Sequence, residues 1–184
     1  MTKHLKTLTV ISSLVLSAFI STAFADTAPV APAPNMPVLM SAEWATQACN
    51  AWNQNPTLTN GLSGKWIANN HGRGYKIIHL YRSDCETSPQ VELQISDKEG
   101  KAICTYGGKV EMTKLYSGSD YIMYATTDRW HEMGAGKYGP MKAMMFGRLK
   151  FEGPKWEAMG VMGPFSQFLL LVGKVPSNEA VCPK

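Results

Sequence analysis

The 184-residue chain carries a formal net charge of +4 and is 45% hydrophobic, which fits one domain with a sizeable core. This charge is too small to indicate a nucleic-acid partner. The first 25 residues are typical of a secretory signal peptide. Lys3 and Lys6 precede an apolar run, and Ala23-Phe24-Ala25 supplies small residues at the cleavage site. The run is too short to span a bilayer, so we expect an exported, soluble protein, periplasmic or secreted.

The segment that follows the leader, residues 26–40, reads DTAPVAPAPNMPVLM and is rich in proline and alanine. Proline fixes φ and removes backbone donors, so this segment is predicted to be an extended tether outside the core. The domain itself is predicted to span residues 41–184. It begins at Ser41, a residue type favoured as a helix N-cap, and the helix ends at Asn55-Pro56.

The middle of the chain predicts a sheet with a polar and an apolar face. Val91, Leu93 and Ile95 alternate with polar residues, as in a half-buried strand. Residues 97–100 form a predicted hairpin turn. The strands are expected at 75–82, 91–96, 102–106, 110–112 and 121–126.

The last third of the chain predicts helices that cover this sheet. One begins near Thr127, a second begins at Pro140 after a glycine-rich break, and a last one is broken at Gly163-Pro164. A strand is expected at residues 148–152. The predicted fold class is α+β, with a mostly antiparallel sheet covered on one face by helices.

Four cysteines follow the leader: Cys49, Cys85, Cys104 and Cys182. An even number in an exported chain predicts two disulfides, for which three pairings exist. Cys49 is predicted on the buried face of the first helix and Cys182 lies near the C-terminus, whereas Cys85 and Cys104 flank the same hairpin region. We therefore expect the pairs Cys49–Cys182 and Cys85–Cys104.

Catalysis, nucleotide binding and metal binding find little support in the sequence. Residues 134–139 match G-x-G-x-x-G, but Pro140 follows and a helix precedes, so a link between helices is favoured. His131-x-Met133 and the methionine-rich stretch raise the possibility of a copper-handling protein, because thioethers bind Cu(I). Methionine at helical spacing is more often packing. We expect a non-enzyme without a metal or cofactor.

Residues 121–175 resemble the sterol carrier protein 2 (SCP2) family. The similarity lies in Gly147, Leu149 and Gly153, which match a G-x-L-x-x-x-G pattern between a helix and a strand. A downstream helix of matching type follows. The resemblance implies a five-stranded sheet with helices over one face, enclosing an apolar tunnel for sterols, fatty acids or acyl chains. The signal peptide and the cysteines differ from intracellular members, which argues against a peroxisomal role.

On this resemblance we expect non-catalytic binding or transfer of a sterol, fatty acid or other apolar small molecule in the periplasm, without a nucleic-acid partner. A cavity of this kind is lined by flexible apolar side chains. The ten candidates for its lining are Trp130, Met133, Met144, Met145, Phe146, Met159, Met162, Phe165, Phe168 and Leu169. Each of them is equally well explained as core.

A basic stretch accompanies these apolar residues and predicts transient contact with an anionic membrane surface. An ordinary solvated face explains it equally well. The basic residues are Arg129, Lys137, Lys142, Arg148, Lys150 and Lys155. Two functions besides lipid binding stay open: a methionine-rich copper protein, and a structural or partner-binding module without a ligand.

Overall fold

A computed structural model describes residues 36–87 and 89–184 of the chain. The predicted leader and residues 26–35 of the predicted tether lie outside the described residues. Five strands form one sheet: β1 (Tyr75–Arg82), β2 (Val91–Lys98), β3 (Lys101–Lys109), β4 (Tyr121–Ala125) and β5 (Lys150–Glu152). The described helices are α1 (Ala42–Asn53), α2 (Pro56–Gly61), α3 (Lys65–Ala68), α4 (Thr127–Gly134), α5 (Pro140–Met145), α6 (Lys155–Met159) and α7 (Met162–Lys174).

The strand order in the sheet is β3-β2-β1-β4-β5, and all neighbouring strands are antiparallel except the parallel pair β1 and β4. The predicted α+β fold with a mostly antiparallel, five-stranded sheet is confirmed. The connection from β3 to β4 must cross the sheet, because β3 is an edge strand and β4 lies on the far side of β1. This crossover explains how a parallel pair arises in a chain of hairpins.

The crossover segment is not a strand, so the strand predicted at residues 110–112 is wrong. The backbone N–H groups of Glu111 and Met112 instead donate to Oε2 of Glu92, at 3.3 and 3.0 Å. Burial alone would raise the pKa of Glu92, but hydrogen bonds from His79, Gln94 and the Met112 backbone lower it overall. The outer face of the sheet is thus partly covered, and its buried carboxylate holds the covering segment.

The inward face of the sheet carries an apolar layer. In the register, Ile78 lies between Leu93 of β2 and Tyr121 of β4, and all three are buried. Met123 pairs with Phe151 of β5 and extends the layer to the second edge. The alternation predicted for β2 places the same residues inward as the structure does.

Helix α1 lies directly on the edge strand β3. A side chain at Gly107 would place its Cβ only 2.3 Å from the Ala45 carbonyl oxygen, so the close approach requires glycine. Nε1 of Trp52 donates to the Ala102 carbonyl at 2.9 Å. Asn53 both donates to the Cys104 carbonyl and accepts from its N–H, each at 2.8 Å. These bonds occupy backbone groups of an otherwise open edge.

Two short helices lie between α1 and β1 where no element was predicted. Asn55 accepts from the N–H of Thr57 and Pro56 occupies the first helical position, so the same dipeptide that ends α1 begins α2. The last helix also differs from its prediction. It begins at Met162 and continues through Gly163-Pro164, because proline is tolerated in the first turn.

Residues before Ser41 also belong to the packed core. Ser41 caps α1 as predicted, but Leu39 and Met40 are fully buried in the core. Val38 forms a bridge with Asn178 near the C-terminus. The expectation that residues 26–40 lie wholly outside the core is therefore wrong for Leu39 and Met40, whose apolar side chains are buried against the domain.

The predicted disulfide pairing is also wrong. Cys49 is bonded to Cys104 and Cys85 to Cys182, instead of Cys49–Cys182 and Cys85–Cys104. Helix α1 packs on β3, which brings Cys49 to Cys104. The C-terminal tail returns to the end of β1, where Arg82 donates to the carbonyl of Val181 at 2.6 Å, and this brings Cys182 to Cys85.

Peptide mapping without reduction tests this connectivity. We expect one linked peptide pair containing Cys49 with Cys104 and another containing Cys85 with Cys182. Replacing either pair by serines should lower the free energy of unfolding by about 2–5 kcal/mol, because the unfolded chain then loses a cross-link. A linked peptide containing Cys49 and Cys182 would contradict the structure.

Candidate functional site

An apolar cavity of about 30 Å³ lies between the inward face of the sheet and the helices that cover it. Helices α1, α3 and α7 supply aromatic rings to its wall, and β1 and β4 supply its floor. The cavity is lined by Trp52, Leu62, Trp66, Ile78, Tyr121, Met123, Ala158, Val161, Phe165 and Phe168. This volume accepts one or two water molecules, whereas ligand pockets usually measure about 300–1,000 Å³. The cavity is therefore too small to hold a lipid as it stands.

A cluster of polar side chains adjoins this cavity through Trp66 and Tyr121, which belong to both. Nε1 of Trp66 donates to the Tyr121 hydroxyl at 3.0 Å, and that hydroxyl donates to Oε2 of Glu157 through a short hydrogen bond. Nζ of Lys76 donates to the same carboxylate oxygen at 2.7 Å, and Nδ2 of Asn69 donates to Oε1 at 2.9 Å. Three side chains from three different parts of the fold thus donate to one carboxylate.

Lys76 is unusual because it points inward from β1 with a side chain that is 0% exposed. Its ammonium lies 4.6 Å from the Trp66 ring centroid and 5.2 Å from that of Tyr121. Both rings also line the cavity, so cation–π contact joins the charge to the apolar wall. Burial lowers the pKa of Lys76, and the neighbouring Glu157 opposes this shift.

Tyr121 is held in its neutral form. Burial raises the pKa of its phenol, and the hydrogen bond to Glu157 raises it further. The hydroxyl therefore remains a donor across the ordinary pH range. Its ring stacks on Trp66 at a centroid distance of 6.0 Å, which fixes the direction in which the hydroxyl points.

An open groove of about 520 Å³ lies beside the cavity. Helix α6 takes part in both: Ala158 lines the cavity, whereas Lys155 and Met159 line the groove. Phe151 lines the groove as well, and its ring lies 5.8 Å from that of Phe165 in the cavity wall. A single turn of helix and one phenylalanine thus lie between the cavity and the groove.

The structure divides the ten predicted lining residues into three groups. Phe165 and Phe168 line the cavity, and Met144, Met145 and Met159 line the groove. The remaining five line neither space: Trp130, Met133 and Leu169 are buried in the core, Met162 is half-buried against it, and Phe146 is 67% exposed.

Sequence reasoning missed eight residues of the cavity wall and the lysine that lies behind Trp66 and Tyr121. Trp66 belongs to a four-residue helix, which is too short to show a periodic pattern. Lys76 did carry a signal, because it occupies the same face of β1 as the buried residues Ile78 and Leu80. A charged side chain in an inward position requires a partner.

In the described part of the chain, the two residues of the His131-x-Met133 motif lie in different surroundings. His131 contacts the Glu179 carboxylate at the surface, whereas Met133 is buried in the core. The G-x-G-x-x-G segment links α4 to α5, as predicted. Within residues 36–87 and 89–184, no group of three or more His, Cys, Asp or Glu residues is placed to hold a metal ion. Among the described helices, none has the length and hydropathy needed to cross a membrane.

Residues 76–166, which contain nearly all of the sheet and much of the cavity wall, match the SCP-2 sterol transfer family. This segment of the chain belongs to the SCP-2 family. This confirms the resemblance inferred from the glycine pattern, and it gives lipid binding or transfer as the general class of function.

Several solved structures are similar to this SCP-2 chain. Sterol carrier protein 2 is 16% identical, with a TM-score of 0.47 over 75% of this chain and 99% of that chain. A conserved hypothetical protein from Thermus thermophilus is 19% identical, with a TM-score of 0.46 over 76% and 91% of the two chains. The ubiquinone synthesis protein UbiJ-SCP2 is 12% identical, with a TM-score of 0.39 over 76% and 95%. No curated protein sequence matches the chain.

The two hydrogen bonds of the Tyr121 hydroxyl predict the effect of Tyr121→Phe. Loss of the hydroxyl leaves Nε1 of Trp66 without its acceptor and Glu157 without one donor. We expect the free energy of unfolding to fall by about 1–3 kcal/mol, as for other buried polar groups left unpaired. Tyr75→Phe, at the half-buried start of β1, is the matched control and should change stability by less than about 0.5 kcal/mol. Urea denaturation measures both, and equal losses would contradict the role of the hydroxyl.

Proposed function

We propose that this SCP-2 chain binds one apolar lipid and carries it between membrane surfaces, without catalysis, in the compartment outside the cytoplasm. The apolar cavity between the sheet and α7 is the observation that carries the proposal. The predicted signal peptide supports export. Two disulfides in the described part of the chain are compatible with an oxidising compartment.

The groove provides a route by which a lipid reaches the cavity. It is lined by flexible side chains, with Met141, Met144 and Met145 on one side and Met159 on the other. Methionine adapts to ligands of different shapes because it has three rotatable bonds. A lipid chain that enters from this side meets Phe151 and α6 before it reaches the cavity.

Exposed apolar side chains surround the groove and form a candidate membrane-docking face. Met145 is 73% exposed and Trp156 is 84% exposed, and Phe146 directly follows Met145. Lys150 and Lys155 line the groove beside them. Anionic lipids attract such lysines by about 1 kcal/mol each, and the apolar side chains insert at the interface. An anionic membrane is therefore the occupant that this face fits.

Two adjacent residues of α7 test the cavity. Phe168 lines it, whereas Leu169 lies only in the core, and both are buried. Each alanine variant should lose about 2–5 kcal/mol of unfolding free energy, because a buried side chain is removed. Phe168→Ala should in addition enlarge the cavity and change affinity or chain-length preference for a fluorescent fatty acid or sterol analogue. Leu169→Ala should bind these probes like the unaltered protein.

Denaturant unfolding without ligand and probe titration supply the two measurements. Organic extraction of the purified protein followed by mass spectrometry identifies any lipid that it carries. The cavity proposal would be wrong if both variants bound every probe like the unaltered protein. It would also be wrong if Leu169→Ala altered binding as much as Phe168→Ala.

Vesicle binding tests the docking face. We expect the emission of Trp156 to shift to shorter wavelength with phosphatidylglycerol vesicles and to change little with phosphatidylcholine vesicles, because only the former attract lysines. The other four tryptophans are buried, so Trp156 dominates this change. Phe146→Ser should weaken binding, whereas Val181→Ser, at a 47% exposed residue near the C-terminus, is the matched control. Equal binding to both vesicle types would contradict the docking face.

A further inference from the structure

We propose that Glu157 occupies the place of a ligand carboxylate, and that a lipid with a carboxylic acid head displaces Glu157 from Lys76 when α6 moves aside. The inference rests on the proposed lipid-binding function and deepens it. It predicts that the protein selects long-chain carboxylic acids over neutral lipids of the same length.

The first argument is that Lys76 needs an anion. Its side chain is fully buried, on the inward face of β1, against the rings of Trp66 and Tyr121. A buried ammonium without a carboxylate is strongly unfavourable. Removal of Glu157 leaves the ammonium with the Asn69 carbonyl, at 2.9 Å, as its hydrogen-bond acceptor, so another anion at the same position is strongly favoured, and a neutral lipid cannot provide one.

The second argument is that the three side chains that donate to Glu157 lie on other elements. Lys76 is on β1, Tyr121 is on β4, and Asn69 follows α3. These elements belong to the sheet and its covering layer, so the three donors stay in place if α6 leaves. They then form a ready site for one carboxylate, with donors to both of its oxygens.

The third argument is that α6 is a short part of the cavity wall. It has five residues, Lys155–Met159, and lies between Pro154 and Gly160. A helix of a single turn has little stability of its own. The side chain of Glu157 is 18% exposed, so its carboxylate can turn to water without crossing the core.

The fourth argument is the size of the cavity. A volume of about 30 Å³ does not hold a lipid chain, so binding requires a wall to move. Helix α6 lies between this cavity and the open groove and supplies Ala158 to one and Met159 to the other. Its displacement joins the two spaces and frees the donors in the same step. The acyl chain then lies along the apolar wall, with its carboxylate on Lys76.

Calorimetric titration with dodecanoic acid and with dodecanol tests the exchange on the full mature chain. Glu157→Ala removes the competing carboxylate and should tighten binding of the acid by about tenfold, as expected for one charged hydrogen bond, with a smaller change for the alcohol. Lys76→Met should weaken binding of the acid by about tenfold or more and leave the alcohol nearly unchanged. Glu152→Ala and Lys65→Met remove the same charges from exposed positions that line neither the cavity nor the groove, and they are the matched controls.

The ratio of acid to alcohol affinity decides the inference. A rise of this ratio in Glu157→Ala, above its value in Glu152→Ala, supports the exchange even if Lys76→Met fails to fold. An unchanged ratio in Glu157→Ala overturns the exchange but leaves lipid binding intact. If the unaltered protein binds neither the acid, the alcohol nor a sterol analogue, the proposed function fails and the inference fails with it.

Discussion

The inward face of the sheet is the constraint on which the rest of the structure depends. Its apolar layer, which runs from β3 through Leu93, Ile78 and Tyr121 to Phe151, must be removed from water. Helix α1 covers one edge so closely that β3 needs Gly107 at the contact. Helix α7 covers the centre. Between this helix, α3 and α6 the covering layer does not fill the space completely, and the cavity is what remains.

A buried lysine lies beside this apolar space. Lys76 belongs to the same inward face of β1 as Ile78, so its charge must be matched inside the layer. Glu157, on a one-turn helix, supplies the opposite charge, and Tyr121 and Trp66 complete the hydrogen bonds around it. The stability of the α6 wall is thereby tied to an ion pair, and the proposed exchange of one carboxylate for another follows from that dependence.

Local patterns predicted the elements whose residues alternate or repeat over several turns. Helix α1, strands β1 to β4 and the link between α4 and α5 follow from periodicity, capping and glycine spacing. Helices α2 and α3 are too short for such a pattern, and the crossover at residues 110–112 is held by the Glu92 carboxylate rather than by a ladder. Phe168 and Leu169 show why the residues that line the cavity could not be predicted from the sequence. They are adjacent, apolar and buried, but Phe168 faces the cavity and Leu169 faces the core.

Residue patterns were enough to predict the α+β class and the mostly antiparallel sheet, because these depend on local periodicity. The family was predicted from a resemblance in the glycine pattern. The pairing of the cysteines, the choice of apolar side chains that face the cavity, and the contact between Glu157 and Lys76 depend on the packing of the folded chain. Those contacts join residues far apart in the chain, such as Cys85 with Cys182. Their distances are set by how helices pack on the sheet, which no local pattern records.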